Sequence, residues 1–345
     1  MALDPARAAV RSAVRRSLAV IAEADGERWE PEVGDTVLVA CSGGADSLAL
    51  LAATVFEGRT LALRVVGVVV DHGLQQGSAE HSARVVAQMA ALGVDETATI
   101  RVTVDPGPAG IEAGAREARY AALSQLAEHF GAEMVLLGHT LDDQAETVLL
   151  GLTRGSGGRS LMGMRRGFRR EEDGRRSTLF LRPLLDVTRS QTEAACVADG
   201  ITWWEDPHNS DPRFTRARIR HTVMPMIERE LGPGVAQALA RTADLLREDV
   251  TSLDERAGHL LREVHVGNGL DTSALEGLDP ATKHRMLRTA AIEAGAIPSE
   301  LTRDHVLAVA DLVYGARDSR QIQLPGHVTA YRDGTVLRFR PTQPR

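Results

Sequence analysis

Apolar runs and helical repeats alternate along the first two-thirds of the chain. Val37-Leu38-Val39-Ala40 shows no polar alternation, the mark of a strand covered on both faces. Residues 63–70 form a second such run and Met134-Val135-Leu136-Leu137 a third, with another strand expected at 97–104. Helical spacing fills the intervals at 47–57, 79–92, 111–130 and 141–151. Residues 179–185 read as a further strand, broken by Pro183, followed by a helix over 188–199. This alternation predicts an α/β fold, a doubly wound parallel sheet, over residues 34–225. Val10, Val14, Leu18 and Ile21 predict a helical extension within residues 1–33. Pro225 marks the expected domain boundary. Beyond it, helical stretches near 235–263, 279–294 and 301–314 precede alternating strands at 321–324 and 335–339. They predict a smaller, mostly α-helical domain over 226–345.

The chemistry concentrates where the first strand ends. Ser42-Gly43-Gly44-Ala45-Asp46-Ser47 turns the chain directly into a helix. A helix opening from a glycine turn aims unpaired backbone N–H groups at one point, which attracts phosphate. Glycines let the backbone approach the anion, and Ser42 and Ser47 add hydroxyl donors. A carboxylate repels phosphate, so Asp46 points to a bridging cation such as Mg²⁺. A Walker A loop is excluded, because the only lysine is Lys283, and no G-x-G-x-x-G follows the strand. The plainer alternative is a serine–glycine turn with an Asx cap.

Two more strands end in polar clusters: Asp71-His72-Gly73-Leu74, and Gly138-His139-Thr140-Leu141-Asp142-Asp143-Gln144-Ala145-Glu146-Thr147. Ligands of open α/β sheets bind at carboxyl ends of strands, so the three clusters predict one site. On a helix beginning at 141, Glu146 shares a face with Asp142 or Asp143. Acids there can merely complement the helix dipole. A third carboxylate, with His139 just before them, favours a metal or catalytic role for Asp46, Asp142, Asp143 and Glu146.

Charge then changes the picture. The net charge is −7, which argues against a nucleic-acid binder, but residues 151–225 carry 14 arginines against 9 acids. Six of those arginines fall within 151–170, with no acid among them. One basic face on an acidic protein suits RNA. Arg154, Arg159, Arg165, Arg166, Arg213, Arg216, Arg218 and Arg220 are the candidate RNA contacts, set against a merely solvated face. Residues 153–178 read as a long mobile loop. Trp203 and Trp204 are expected in core or linker packing. Cys41 and Cys196 are too far apart for a metal or redox motif, which fits a reducing cytoplasm. No apolar run is long enough to span a bilayer, and the arginine-bearing N-terminus reads as structure rather than a leader.

The loop at 42–47 resembles the PP-loop of the ATP pyrophosphatases, which cleave ATP between the α and β phosphates and form adenylated intermediates. With Asp71-His72-Gly73-Leu74, Ala115-Arg116-Glu117-Ala118-Arg119-Tyr120, the 138–147 cluster, Arg154-Gly155-Ser156-Gly157-Gly158, Arg182-Pro183-Leu184-Leu185 and Glu205-Asp206 through to Arg220, it resembles the tRNA(Ile)-lysidine synthase family. Ala217, where the family often has asparagine, and Pro207-His208-Asn209 depart from its pattern. The resemblance is to a short form of the family, without the further C-terminal module expected of longer members. The resemblance implies ATP and Mg²⁺, an isoleucine tRNA with a CAU anticodon, and free lysine as substrates. It assigns Ser42, Gly43, Gly44, Ala45, Asp46, Ser47, Asp71 and His72 to ATP, and Asp46, Arg116, His139, Asp142 and Asp143 to catalysis. A homodimer is compatible with the sequence. Rival readings are a PP-loop tRNA thiolase, a PP-loop synthetase acting on a small metabolite, and a non-catalytic RNA-binding relic.

Overall fold

The computed structural model describes residues 4–19, 32–73, 77–105, 110–155, 157–171, 177–206, 210–314 and 320–342. The chain divides into two compact units: residues 1–150 with 163–241, and residues 151–162 with 242–345. Pro225 does not mark that division. It lies inside a continuous helical run, directly after a π-helical turn.

The first unit holds α1 (Pro5–Ala19), β1 (Thr36–Ala40), α2 (Ala45–Leu61), β2 (Arg64–Asp71), α3 (Ser78–Ala91), β3 (Glu96–Arg101), α4 (Ile111–Phe130) and β4 (Ala132–Leu137). Helix α5 (Leu141–Arg154) starts in this unit, and its last turn counts with the second, as does α6 (Gly158–Leu161). Strands β5 (Gly167–Arg170) and β6 (Thr178–Leu181) and helices α7 (Arg189–Ala198), α8 (Thr215–Arg218) and α9 (Met224–Leu231) complete it. The sheet order is β3-β2-β1-β4-β6-β5. All neighbours are parallel except β5, which pairs antiparallel with β6. The order reverses between β1 and β4, so a crevice opens outside their carboxyl ends.

Burial follows the sequence pattern. Val37, Leu38 and Val39 are wholly buried, and β1 faces two cores. Val10, Val14 and Leu18 of α1 enter one of them, beside α2 and α7. The N-terminal helix therefore packs into this unit's core. Residues 153–178 are not one long loop among the described residues. They contain the end of α5, α6, edge strand β5 and the start of β6.

Helix α10 (Val235–Glu263) runs across the division at 241/242. The second unit continues with β7 (His265–Val266), β8 (Gly269–Asp271), α11 (Thr272–Glu276), α12 (Pro280–Glu293), α13 (Arg303–Tyr314), β9 (Gln321–Leu324), β10 (Val328–Asp333) and β11 (Val336–Pro341). Its sheet is antiparallel, ordered β7-β8-β11-β10-β9. Leu270, Leu324, Ala330 and Leu337 of the sheet and Leu287, Val309 and Leu312 of the helices form its core. The terminal strands expected from the sequence are present, joined by a short β7–β8 hairpin.

Candidate active site

A cavity of about 450 Å³ lies at the carboxyl ends of β1, β2 and β4. Ser42, Gly44, Asp46, Ser47, His72, His139, Asp143, Arg189 and Arg220 are among its lining residues.

The phosphate-loop wall is rigid. Gly43 has φ of +84°, and a Cβ there would stand 2.6 Å from Val85 Cγ2 and 3.1 Å from His81 Cε1. Glycine is therefore required on two grounds, conformation and space. Gly44 precedes α2 with no side-chain cap, which leaves that helix's first amides to a ligand. Ser47 Oγ accepts from the Ser42 amide at 3.1 Å and donates to the Gly44 carbonyl at 2.9 Å. From α3, His81 Nε2 donates to the Ser42 carbonyl at 2.9 Å. The Trp204 amide donates to the Gly43 carbonyl at 3.0 Å, and its ring lies 4.0 Å from that of His81. Trp203 packs on the core as expected, whereas Trp204 lines the cavity. At Gly138 a Cβ would come within 3.1 Å of the Ser47 backbone, so glycine lets β4 end against the loop.

Opposite the loop, three carboxylates meet two guanidiniums. Arg220 Nε donates to Glu146 Oε1 at 2.7 Å and Nη2 to Asp143 Oδ1 at 3.0 Å. Arg189 Nη2 donates to Asp143 Oδ1 at 3.1 Å, and its Nε is 3.6 Å from Asp46 Oδ2. Thr192 Oγ1 donates to Asp46 Oδ1. Local structure places these groups. Thr188 and Gln191 form a capping box that starts α7, putting Arg189 and Thr192 on its first turn. Ile219–Val223 is a π-helical turn between α8 and α9, and it carries Arg220. π-Helical turns recur at functional sites.

Burial drives the pKa of Asp46 up to about 6; Thr192 and Arg189 pull it down, and the Asp143 charge adds to the rise. Burial also pushes Asp143 up, but Arg189, the Thr140 amide and Arg220 more than offset this and hold it below its ordinary value. His139 is held well below its ordinary value by burial and by Arg182, Arg119 and Arg116, despite Asp143. It is neutral near pH 7, and its buried Nδ1 has no partner. An imidazole held that low is a poor base for an amine.

Several expected site residues fall elsewhere. Asp142 Oδ2 accepts the Arg189 amide at 2.7 Å and so caps α7. Asp71 is pushed up by burial, but the Gly73 amide and the Arg101 guanidinium at 2.7 Å outweigh that and hold it below its ordinary value. Its carboxylate is engaged away from the cavity, while His72 lines it. Among the described residues no group of three His, Cys, Asp or Glu is placed to hold a metal ion, so Asp46, Asp142, Asp143 and Glu146 do not form one cage. Glu146 is 2% exposed and paired. Mg²⁺ needs only one or two protein carboxylates together with substrate phosphates. Asp46 and Asp143 fit that demand, because both line the cavity beside the phosphate loop.

Of the candidate RNA contacts, Arg220 lies in the cavity and Arg216 reaches Thr147 at 3.3 Å. Arg218 donates to the Pro212 and Arg213 carbonyls, and Arg213 to Asp211. Arg166 pairs with Asp186, and Arg159 with Asp254 inside the second unit. Arg165 is exposed, and its carbonyl accepts from Arg182 at 2.6 Å. Leu74, Pro207-His208-Asn209 and the Arg154 side chain lie outside the described residues. Arg189 and Thr192 had no place in the sequence expectation, although the Thr188-x-x-Gln191 spacing marks the helix start that positions both.

Residues 14–227 match a family model described as the PP-loop domain, and residues 270–340 one described as the TilS substrate binding domain. A tRNA(Ile)-lysidine synthase of Salinispora arenicola is 48% identical over 96% of this chain and 95% of its own. One of Thermobifida fusca is 47% identical over 96% and 97%, and one of Streptomyces coelicolor 48% identical over 88% and 85%. Among solved structures, the U34-tRNA thiolase NcsA from Methanococcus maripaludis with its [4Fe-4S] cluster is similar in fold, with a TM-score of 0.52 at 14% identity over 69% of this chain and 78% of that one. Here burial raises Cys41, and burial with the Asp46 charge pushes Cys196 up to about 12, so neither thiol is poised to react. With a PP-loop and a substrate-binding domain in their order along the sequence, and close relatives over nearly its whole length, the chain belongs to the tRNA(Ile)-lysidine synthase family.

Proposed function

We propose that this protein joins free lysine to C2 of the wobble cytidine in the CAU anticodon of an isoleucine tRNA, using ATP. The modified base then pairs with A. The observation that carries this reading is the meeting, in one cavity, of a phosphate loop and a cluster of carboxylates and guanidiniums. The loop amides and Ser47 receive the triphosphate. O2 of the cytidine attacks the α-phosphorus, the bond to the bridging oxygen breaks, and pyrophosphate leaves. The side-chain amine of lysine attacks C2, loses a proton, and AMP departs with the former O2. Adenylation is needed because the carbonyl oxygen is a poor leaving group. The anticodon loop presents its base unstacked at low cost. Mg²⁺, held by Asp46 and Asp143, would offset phosphate charge. Release of AMP and pyrophosphate only when this tRNA is present supports the reading; release without it favours a small-metabolite synthetase.

Lysine carries a side-chain ammonium of pKa about 10.4, so under ~1% is the attacking amine at pH 7. Asp143, which lines the cavity, supplies the negative field that selects it. Lysine transfer from preformed adenylated tRNA should therefore rise with pH. Asp143→Asn should slow this step more than adenylation, whereas Asp142→Asn should leave the ratio of the two steps unchanged. Single-turnover formation and decay of the adenylate separate them. If Asp143→Asn slows adenylation alone, that acid serves only ATP.

The candidate arginines would track the RNA backbone. Changing Arg154, Arg159, Arg165 and Arg166 to alanine should weaken tRNA binding while leaving ATP affinity within about twofold. The log–log salt slope should flatten by roughly 0.7–0.9 for each phosphate that is no longer neutralised. An unchanged slope removes these residues from the interface. The substrates and the unpaired cysteines suit a cytoplasmic enzyme, and among the described residues no helix is long and apolar enough to cross a membrane.

A further inference from the structure

Arg182 is 4% exposed, yet among the described residues no carboxylate lies within ion-pair distance of it. Its Nη1 donates to the Arg165 carbonyl at 2.6 Å, its Nη2 to the Tyr120 hydroxyl at 3.1 Å, and its buried Nε has no partner. The guanidinium stands 4.7 Å from the Phe168 ring centre. Arg116 Nη2 also donates to Tyr120, at 3.3 Å, and has no carboxylate partner among the described residues either. Arg119, one turn from Arg116 on α4, lines the cavity with its buried Nε unpartnered. The nearby Glu117 is taken by Arg170. Burying Arg182 without a counter-charge is costly, and with half-buried Arg119 and exposed Arg116 beside it the site is built for an anion that arrives from outside.

Tyr120 meets all three: its hydroxyl bonds Arg116 and Arg182, and Arg119 stands 5.7 Å from its ring centre. Arginine can only donate, so the phenolic oxygen accepts from both. Burial would raise its pKa, but Arg182, Arg116 and Arg119 outweigh that and hold it below the ordinary value. Its ring is fixed edge-on to Phe168 at 5.6 Å and to Phe180 at 5.1 Å, and it is 4% exposed. The oxygen is thus pinned by packing, and the guanidiniums are pinned by the oxygen.

We propose that Tyr120 is a positioning residue, whose hydroxyl holds Arg116 and Arg182 beside Arg119 and His139 as a second phosphate site, apart from the phosphate loop. This rests on the reading of the cavity as a lysidine synthase site. The phosphate belongs either to the RNA backbone beside the wobble cytidine or to the nucleotide.

The test uses full-length enzyme already shown to incorporate lysine, so failure here is distinct from failure of that reading. Tyr120→Phe keeps the ring and removes only the oxygen. It should weaken binding of a phosphate-bearing substrate about tenfold while thermal stability stays near wild type. Weaker tRNA binding with a salt slope reduced by roughly 0.7, and unchanged ATP binding, supports the site and assigns the phosphate to RNA. Weaker ATP binding with an unchanged salt slope supports it and assigns the phosphate to the nucleotide. Phe168→Leu disturbs the packing but keeps the hydroxyl, and should lower the melting temperature without moving the slope. If Tyr120→Phe moves neither binding constant, or acts only through the melting temperature as Phe168→Leu does, the proposal is overturned.

Discussion

Arg220→Met is expected to destabilise the first unit by about 3 kcal/mol and to abolish turnover. Glu146 is 2% exposed, and Arg220 holds both of its oxygens, at 2.7 and 3.0 Å. Removing one partner of a buried pair strands the other charge, which costs roughly 3–5 kcal/mol. The lower end applies because Arg189 remains 3.7 Å from Glu146 and 3.1 Å from Asp143. For a unit of this size the melting temperature should fall by about 6–12 °C. Glu146→Gln in the same chain removes the stranded charge and should restore most of that loss, without restoring activity. A double-mutant cycle by thermal unfolding measures the coupling. A cost under ~1 kcal/mol for Arg220→Met alone would mean that this residue serves the RNA face, as expected from its arginine-rich neighbours, and not the cluster.

Asp46→Asn should do the opposite to stability while also ending AMP formation. The folded pKa of Asp46 is about 6, against an ordinary 3.8. An acid whose pKa is higher folded than unfolded binds more protons in the folded state. Its contribution is intact below the unfolded value and is lost as pH rises through about 6, so the unliganded enzyme should weaken across that window. A rise from 3.8 to about 6 corresponds to about 2–3 kcal/mol. The asparagine variant stays neutral, keeps an acceptor for Thr192, and should melt higher than wild type at pH 8 but not at pH 4. Loss of activity with a lower melting temperature at pH 8 would make Asp46 a structural residue.

The sheet was legible because its central strands are covered on both faces and read as unbroken apolar runs. The phosphate loop was legible because its chemistry is local: glycines, serines and an acid within six positions. The arginine partners were not. Arg220 and Glu146 are 74 positions apart, and Arg189 and Asp143 are 46 apart. Only the packing of α7 and of the π-helical turn against α5 brings them together. Strand β5 was hidden because an edge strand, paired on one side, need not carry an apolar run, and its arginines resemble a solvated loop. Strands β7 and β8, of two and three residues, are too short to show a period. Asp71 and Asp142 have the right position along the sequence for the site. Their carboxylates are engaged instead by Arg101 and Gly73, and by the first amide of α7, pairings set by tertiary structure.

The central claim is that one cavity both activates the cytidine and delivers lysine to it. Incubation of the enzyme with labelled lysine and an unmodified isoleucine tRNA transcript bearing the CAU anticodon tests this most directly. The expected result is label in the tRNA only when ATP is present, located at the wobble cytidine by nuclease digestion and mass analysis, and absent when Asp46→Asn replaces the wild type. Adenylation and AMP release without lysine in the RNA, or label that appears without ATP, would contradict it.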